Sequence, residues 1–240
     1  MAQIAYGRGR PRRGHGASRL LALPLMLFVA VTLVSAAYVA YVLWPRWPGP
    51  PVARNAPAMP IVIAGTAFNV QPAAMRRPVQ RRPGVHERVD LAYLWPSLAP
   101  PDPALKATPE NPIDPNERLF VTIANGETAL PPMERVKTIY PRYLAANTAP
   151  GPDGLTLRAF RDATPYQGED LIFDAVVPER FLARCSRQGV GNTGMCLYEV
   201  RIGNADVTMR FPRDWLSDAA ALITGLDRLL ARLHPPPKQS

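Results

Sequence analysis

From Leu20 to Trp44 the chain reads LLALPLMLFVAVTLVSAAYVAYVLW, 25 residues without a charge. Wound as a helix rising about 1.5 Å per residue, the run reaches roughly 37 Å, enough to cross a hydrocarbon core of about 30 Å with some tilt. Only Thr32 and Ser35 interrupt it, so the helix is apolar all the way round, whereas a core helix keeps one polar face. The reading is a transmembrane helix over 20–44, with the lipid bilayer as its partner. A cleaved secretory signal is the competing one, since Val34-Ser35-Ala36 imitates a cleavage site. A signal's apolar region, however, spans only about 7 to 15 residues, and here it runs on past that site. Tyr38, Tyr41, Trp44 and Trp47 then collect at the far end, where amphipathic rings favour the headgroup layer.

Flanking charge sets the orientation. Arg8, Arg10, Arg12, Arg13 and Arg19 precede the run with no acid among them, and only Arg46 and Arg54 follow it closely. By the positive-inside bias, residues 1–19 form a basic cytoplasmic tail and the rest of the chain lies across the membrane. Arg outnumbers Lys 25 to 3 amid abundant Pro and Ala, a usage associated with GC-rich bacterial genomes. The expected location is therefore a bacterial inner membrane with a periplasmic C-terminal domain.

A net charge of +9 would ordinarily raise nucleic-acid binding, but the charge is uneven. Residues 1–60 hold 7 Arg and no acid, while residues 61–240 hold 21 basic side chains against 19 acidic ones. The folded part is near neutral, and nucleic acid is not the expected partner. The tail segment GRGRPRRGHG resembles RNA-binding arginine-glycine segments, yet it lacks their repeats and stacking aromatics. Arg12-Arg13 resembles a twin-arginine export signal, but the helix after it is too long and apolar.

Six prolines between Pro45 and Pro60 predict an extended linker over 45–60, semi-rigid at up to about 3.1 Å per residue. Residues 61–234 then predict one α+β domain, a mainly antiparallel sheet packed by a C-terminal amphipathic helix, with a short tail over 235–240. Strands are expected at 61–70, 88–95, 119–124, 155–160, 170–176, 181–186, 195–202 and 206–211 from β-branched and aromatic runs bounded by Gly, Pro and Asn. Gly203-Asn204 predicts a tight hairpin, and Asn125-Gly126 a turn. A short helix is expected over 131–140, with Met133, Val136, Ile139 and Tyr140 inward. The longer helix covers 214–233, where Trp215, Ala219, Leu222, Leu226, Leu229, Leu230 and Leu233 recur at helical spacing. Residues 96–117, with seven prolines, predict an irregular excursion.

Cys185 and Cys196 fall on neighbouring predicted strands of an exported domain and predict a disulfide. No metal is expected, because beyond these cysteines only His86 and His234 lie on that side of the membrane. Gly189 to Gly194 spell GxGxxG, but the pattern leads into a strand rather than a helix, so no nucleotide cofactor is expected. No GxSxG elbow, Walker, zinc-protease or EF-hand pattern occurs, and no catalytic residue is assigned. Arg76, Arg77, Arg81 and Arg82 sit in a Pro-broken basic stretch whose functional reading is contact with an anion, namely lipid headgroup, cell-wall polymer or acidic partner. Its plain reading is a solvated loop. The functional expectation is a non-catalytic interaction or scaffold domain with an envelope protein as partner. The alternative is an anchored envelope hydrolase acting on cell wall or glycan through Glu169, Asp170 or Asp174, with His86 in support.

Overall fold

The computed structural model describes residues 17–43, 52–102, 114–189 and 194–235. Expectations for the tail over 1–16, for Trp44 and Trp47, for residues 103–113 of the Pro-rich excursion and for most of GxGxxG lie outside the described residues. The chain forms two units, Met1–Pro48 and Gly49–Ser240.

In the first unit, α1 spans Ala17–Leu43. Its segment Pro24–Val42 has a mean hydropathy of 2.2 and is long and apolar enough to cross a membrane. The described side chains along it are exposed, with Tyr38 at 68% and Tyr41 at 81%, so it is not a core helix. Its one described hydroxyl bond is internal, Thr32 Oγ1 donating to the Phe28 carbonyl at 2.9 Å.

The second unit is α+β. Its strands are β1 (Met59–Ile63), β2 (Thr66–Val70), β3 (Gly84–Val85), β4 (Arg88–Leu94), β5 (Arg118–Asn125), β6 (Ala149–Pro150), β7 (Thr156–Ala159), β8 (Glu169–Phe173), β9 (Leu182–Ser186), β10 (Met195–Ile202) and β11 (Ala205–Pro212). Two helices join them, α2 (Pro132–Thr138) between β5 and β6, and α3 (Ala219–Leu233) after β11. Eight strands form one antiparallel sheet in the order β4-β5-β11-β10-β9-β8-β7-β6, and a small sheet has the order β2-β1-β3.

Alternation along the strands decides what each sheet face does. In β5, Leu119, Val121 and Ile123 are buried, and in β11 Ala205, Val207, Met209 and Phe211 are. These side chains form the inner face, which shares a core with the small sheet's Ile61, Ile63, Phe68 and Val70 and with α3. α3 begins at Asp218, whose carboxylate accepts the Ala221 amide at 3.1 Å. Leu222, Leu226, Leu229 and Leu233 then give it a buried stripe at three-to-four-residue spacing. Gly225 lies in that stripe because Trp95 rests on it, and a Cβ there would stand 2.7 Å from the indole.

On the outer face a second, smaller cluster covers only the β7–β9 end, where Tyr140, Leu144, Phe160 and Leu171 pack with Val136, Ile139 and Tyr166. The inward residues expected of the short helix are thus placed, except Met133, which lines a cleft.

Three expected elements differ in detail. The run 61–70 is a hairpin, because Ala64 (φ 48°) and Gly65 (φ 75°) turn the chain within it. β1 also starts at Met59, so the last two residues of the expected linker are strand. The strand expected to reach Val176 stops at Phe173, since Asp174 accepts the amides of Val176 and Val177 and closes a turn. The C-terminal helix is preceded by a 3-10 segment over Arg213–Asp218 rather than starting at 214.

Candidate interaction face

Where the satellite cluster ends, the outer face of β5, β11 and β10 is left without a covering element among the described residues. Its side chains come from the alternate positions 118, 120 and 122, then 206, 208 and 210, then 195, 197 and 199, and none of them is buried. Register lines them up in rows. Ala92, Phe120, Arg210, Leu197 and Arg184 stand side by side, and Asp90, Thr122, Thr208 and Glu199 form the next row.

One end of this face is basic and aromatic. The Arg76 guanidinium lies 4.8 Å from the centre of the Phe120 ring, an attraction between cation and ring electrons. Arg118 and Arg210 project from the strands beside it. Burial works against the charge of Arg118, and Arg76 nearby lowers its pKa further, with Glu117 pulling it part way back. Two acids stand at this end, Glu117 near Arg118 and Asp90, and Asp90 is already engaged. Its Oδ1 accepts from Arg88 at 2.8 and 3.0 Å and from Thr122 at 3.1 Å, and Arg77 stands 3.5 Å from Oδ2.

Burial alone would raise the Asp90 carboxyl, but those hydrogen bonds and the charges of Arg88 and Arg77 outweigh it and hold the pKa below the usual aspartate value. The folded pKa is lower than the unfolded one, so the contribution to stability is present above the unfolded value and is lost as pH falls through the folded one. Asp90→Asn should therefore flatten the acid limb of the stability curve, measured by urea unfolding below about pH 5. An unchanged acid limb would place the proton uptake elsewhere.

The other end is a cleft of about 340 Å³ between α2 and the strands β9 and β10, floored by Leu182, Leu197 and Arg184 and walled by Pro132, Met133 and Tyr140. Ion pairs cross it. Arg135 donates to Glu199 at 3.0 Å, Arg184 stands 3.2 Å from Glu169 and 5.1 Å from the Tyr166 ring centre, and Arg201 clasps Asp206 at 2.7 and 2.9 Å. Burial pushes the Glu169 carboxyl up, with Arg184 pulling it part way back and Glu199 adding to the rise. Leu130 and Val177, next in sequence to the cleft residues Pro131 and Pro178, leave apolar surface in solvent, at 49% and 47% exposed.

Cys185 and Cys196 are disulfide-bonded, opposite each other on β9 and β10 and fully buried on the inner face. The four arginines of the basic stretch part company. Arg76 and Arg77 reach the outer face, whereas Arg81 donates to the Met75 carbonyl at 3.1 and 3.3 Å, stitching its own loop. Arg82 offers its carbonyl to His86 Nε2 at 2.9 Å. The hydrolase residues are not gathered. Glu169 registers with Ser186 and Asp170 with Cys185, so successive residues point to opposite faces, while Asp174 caps its turn and pairs with Arg180 at 3.4 Å.

Arg118, Phe120 and Arg210 were not singled out by the sequence. Each occupies an outward position of an alternating strand, but the pairing that sets Arg210 beside Phe120 joins residues 90 positions apart. What the arrangement offers chemically is arginine, methionine and aromatic side chains on an open sheet, a composition enriched at protein interfaces.

No protein-family model and no curated protein matches the chain. The fold is similar to that of an immunity protein of the Stenotrophomonas maltophilia type IV secretion system, at 16% identity and a TM-score of 0.51, over 73% of this chain and 92% of that one. A more distant match is the Neisseria meningitidis iron-regulated outer membrane lipoprotein FrpD, at 10% identity and a TM-score of 0.37, over 76% and 93% of the two chains.

Proposed function

We propose that this chain is a single-pass bacterial inner-membrane protein whose periplasmic domain binds another envelope protein through the outer face of β5, β11 and β10. The observation that carries the reading is that face itself, uncovered among the described residues and bearing Phe120, Met195 and Leu197 among arginines beside an apolar-rimmed cleft. The apolar helix supplies the anchor, and the arginine excess before it supports a cytoplasmic N-terminus. The Pro-rich composition of 45–58 suits a stalk that would hold the domain off the bilayer. A buried disulfide supports an oxidising compartment. The similar fold in Stenotrophomonas belongs to an immunity protein, and a protein partner is also what this face suits. The carboxylates considered for hydrolysis point apart, which favours binding over catalysis.

The test is photo-crosslinking of the full chain in its native cells. A crosslinking amino acid at Leu197 or Phe120 should capture one abundant protein, and the same group at Arg228 on the exposed side of α3 should not. Equal yields at the three positions, or none, would overturn the reading.

A further inference from the structure

The open face carries a specific charge pattern. Arg76, Arg118 and Arg210 make no ion pair within 4 Å among the described residues, Glu117 acts on Arg118 only from beyond that distance, and Asp90 beside them is held by Arg88 and Arg77. Residues 103–113, which precede this strand in the chain, carry one lysine and one glutamate and so add no net charge. Arg210 is directly opposite Phe120, and Arg118 is two residues along β5, so Arg118 and Arg210 are diagonal neighbours on one sheet face. Such neighbours stand roughly 7 Å apart. Alternate side chains of an extended strand repeat at about 6.8 Å, twice the rise per residue.

From that match we infer that the partner presents an extended acidic segment in which Asp or Glu alternates with other residues, its successive carboxylates meeting Arg118 and Arg210 while the chain passes over Phe120 and Arg76. The inference rests on the protein-binding reading above and names the chemistry of the partner. Guanidinium and carboxylate pair as fork to fork, which sets register as well as attraction. Apolar Leu197 and Met195 lie next along the same face and receive side chains that follow the acids on the same side of the segment. A bed for lipid headgroups or polymer phosphate would lack this apolar interleaving, and it would not need guanidinia at strand spacing.

The probe is a fluorescein-labelled peptide of about sixteen residues in which Glu alternates with Ser and Leu, with a Gln-for-Glu version as control. The protein is the full chain in phosphatidylcholine nanodiscs, and the readout is fluorescence anisotropy. Wild type should bind the Glu peptide and not the Gln peptide, more weakly as salt rises. The double variant Arg118→Glu, Arg210→Glu should lose at least tenfold in affinity, and Arg118→Gln, Arg210→Gln should lose severalfold. Arg228→Glu should change nothing. Tryptophan emission of each variant matched to wild type excludes misfolding as the cause.

No binding of the Glu peptide by wild type, or equal binding by the charge-reversed chain, overturns the inference. So does capture of phosphatidylglycerol vesicles through these arginines in place of the peptide, since the ligand is then a lipid headgroup. If the Leu197 crosslink survives charge reversal undiminished, the acidic-segment inference falls and the protein-binding reading stands. If wild type gives no crosslink at all, that reading falls first.

Discussion

Asp170→Ala should destabilise the domain by about 3–5 kcal/mol, the largest effect of any single polar substitution considered for this chain. Asp170 is 4% exposed on the inner face. Its Oδ1 accepts from Arg187 Nε at 2.9 Å, and its Oδ2 lies 2.8 Å from Arg213 Nη1. Arg213 is the more enclosed of the two, its side chain 13% exposed against 40% for Arg187. Removing the carboxylate leaves Arg213 with the Ser186 carbonyl at 3.1 Å as its remaining described hydrogen bond, which does not neutralise a buried cation. Arg187 can turn toward water while keeping the Phe160 carbonyl at 2.8 Å. Asp170→Asn keeps the shape and one acceptor and should cost less, about 1–3 kcal/mol. Urea unfolding of the full chain in detergent, followed through Trp95 and Trp215, which stack with ring centres 5.0 Å apart, measures both. A lower midpoint at unchanged slope is expected. A loss below about 1 kcal/mol would show that Arg213 reaches solvent or another acceptor.

Asp170 also shows where sequence reading stops. The strand containing it was legible, since β-branched and aromatic runs separated by Gly, Pro and Asn marked most of the large sheet to within a residue or two, and α3 followed from its leucine spacing. Those signals are local and repeat along one element. Grouping Glu169, Asp170 and Asp174 as one acidic cluster failed for a local reason too, because alternation on a strand sends neighbours to opposite faces. What was not local was not legible. Arg213 comes 43 residues after Asp170, and nothing in either segment announces their pairing.

The same division runs through the interaction face. The stretch 75–88 was visible as basic, but Arg81 only stitches its own loop, and the companions of Arg76, Arg77 and Arg88 at the sheet, Arg118 and Arg210, come from strands brought together by the order β4-β5-β11. Phe120 read as one more strand aromatic. The reason it faces outward is that its neighbours Leu119 and Val121 are claimed by the core. The hairpin hidden in 61–70 was missed because Ala64 carries a positive φ, which is rare for residues other than glycine.

The disulfide is the opposite case, a long-range feature that sequence did announce, and it carries the second large prediction. Replacing Cys185 and Cys196 together by alanine should cost about 3 kcal/mol by the chain-entropy relation, since the bond closes a loop with a sequence separation of 11. Both residues are fully buried, so lost packing adds to that figure. The pair crosses β9 and β10 directly behind Arg184 and Leu197, the row that floors the cleft, so loosening it should also weaken the Leu197 crosslink before the domain unfolds. Thiol labelling distinguishes the contributions. In the native chain a maleimide should modify neither cysteine even with reductant present, because the sulfur atoms are enclosed, whereas reductant with denaturant should expose both. Labelling of the denatured, unreduced chain would mean that the thiols are free, and the expected loss from the double substitution would then shrink to packing alone. In a reducing compartment the domain would lose about 3 kcal/mol of a typical stability of about 5–15 kcal/mol. The energetics of the β9–β10 disulfide therefore support the proposed placement beyond the membrane, alongside the arginines before α1.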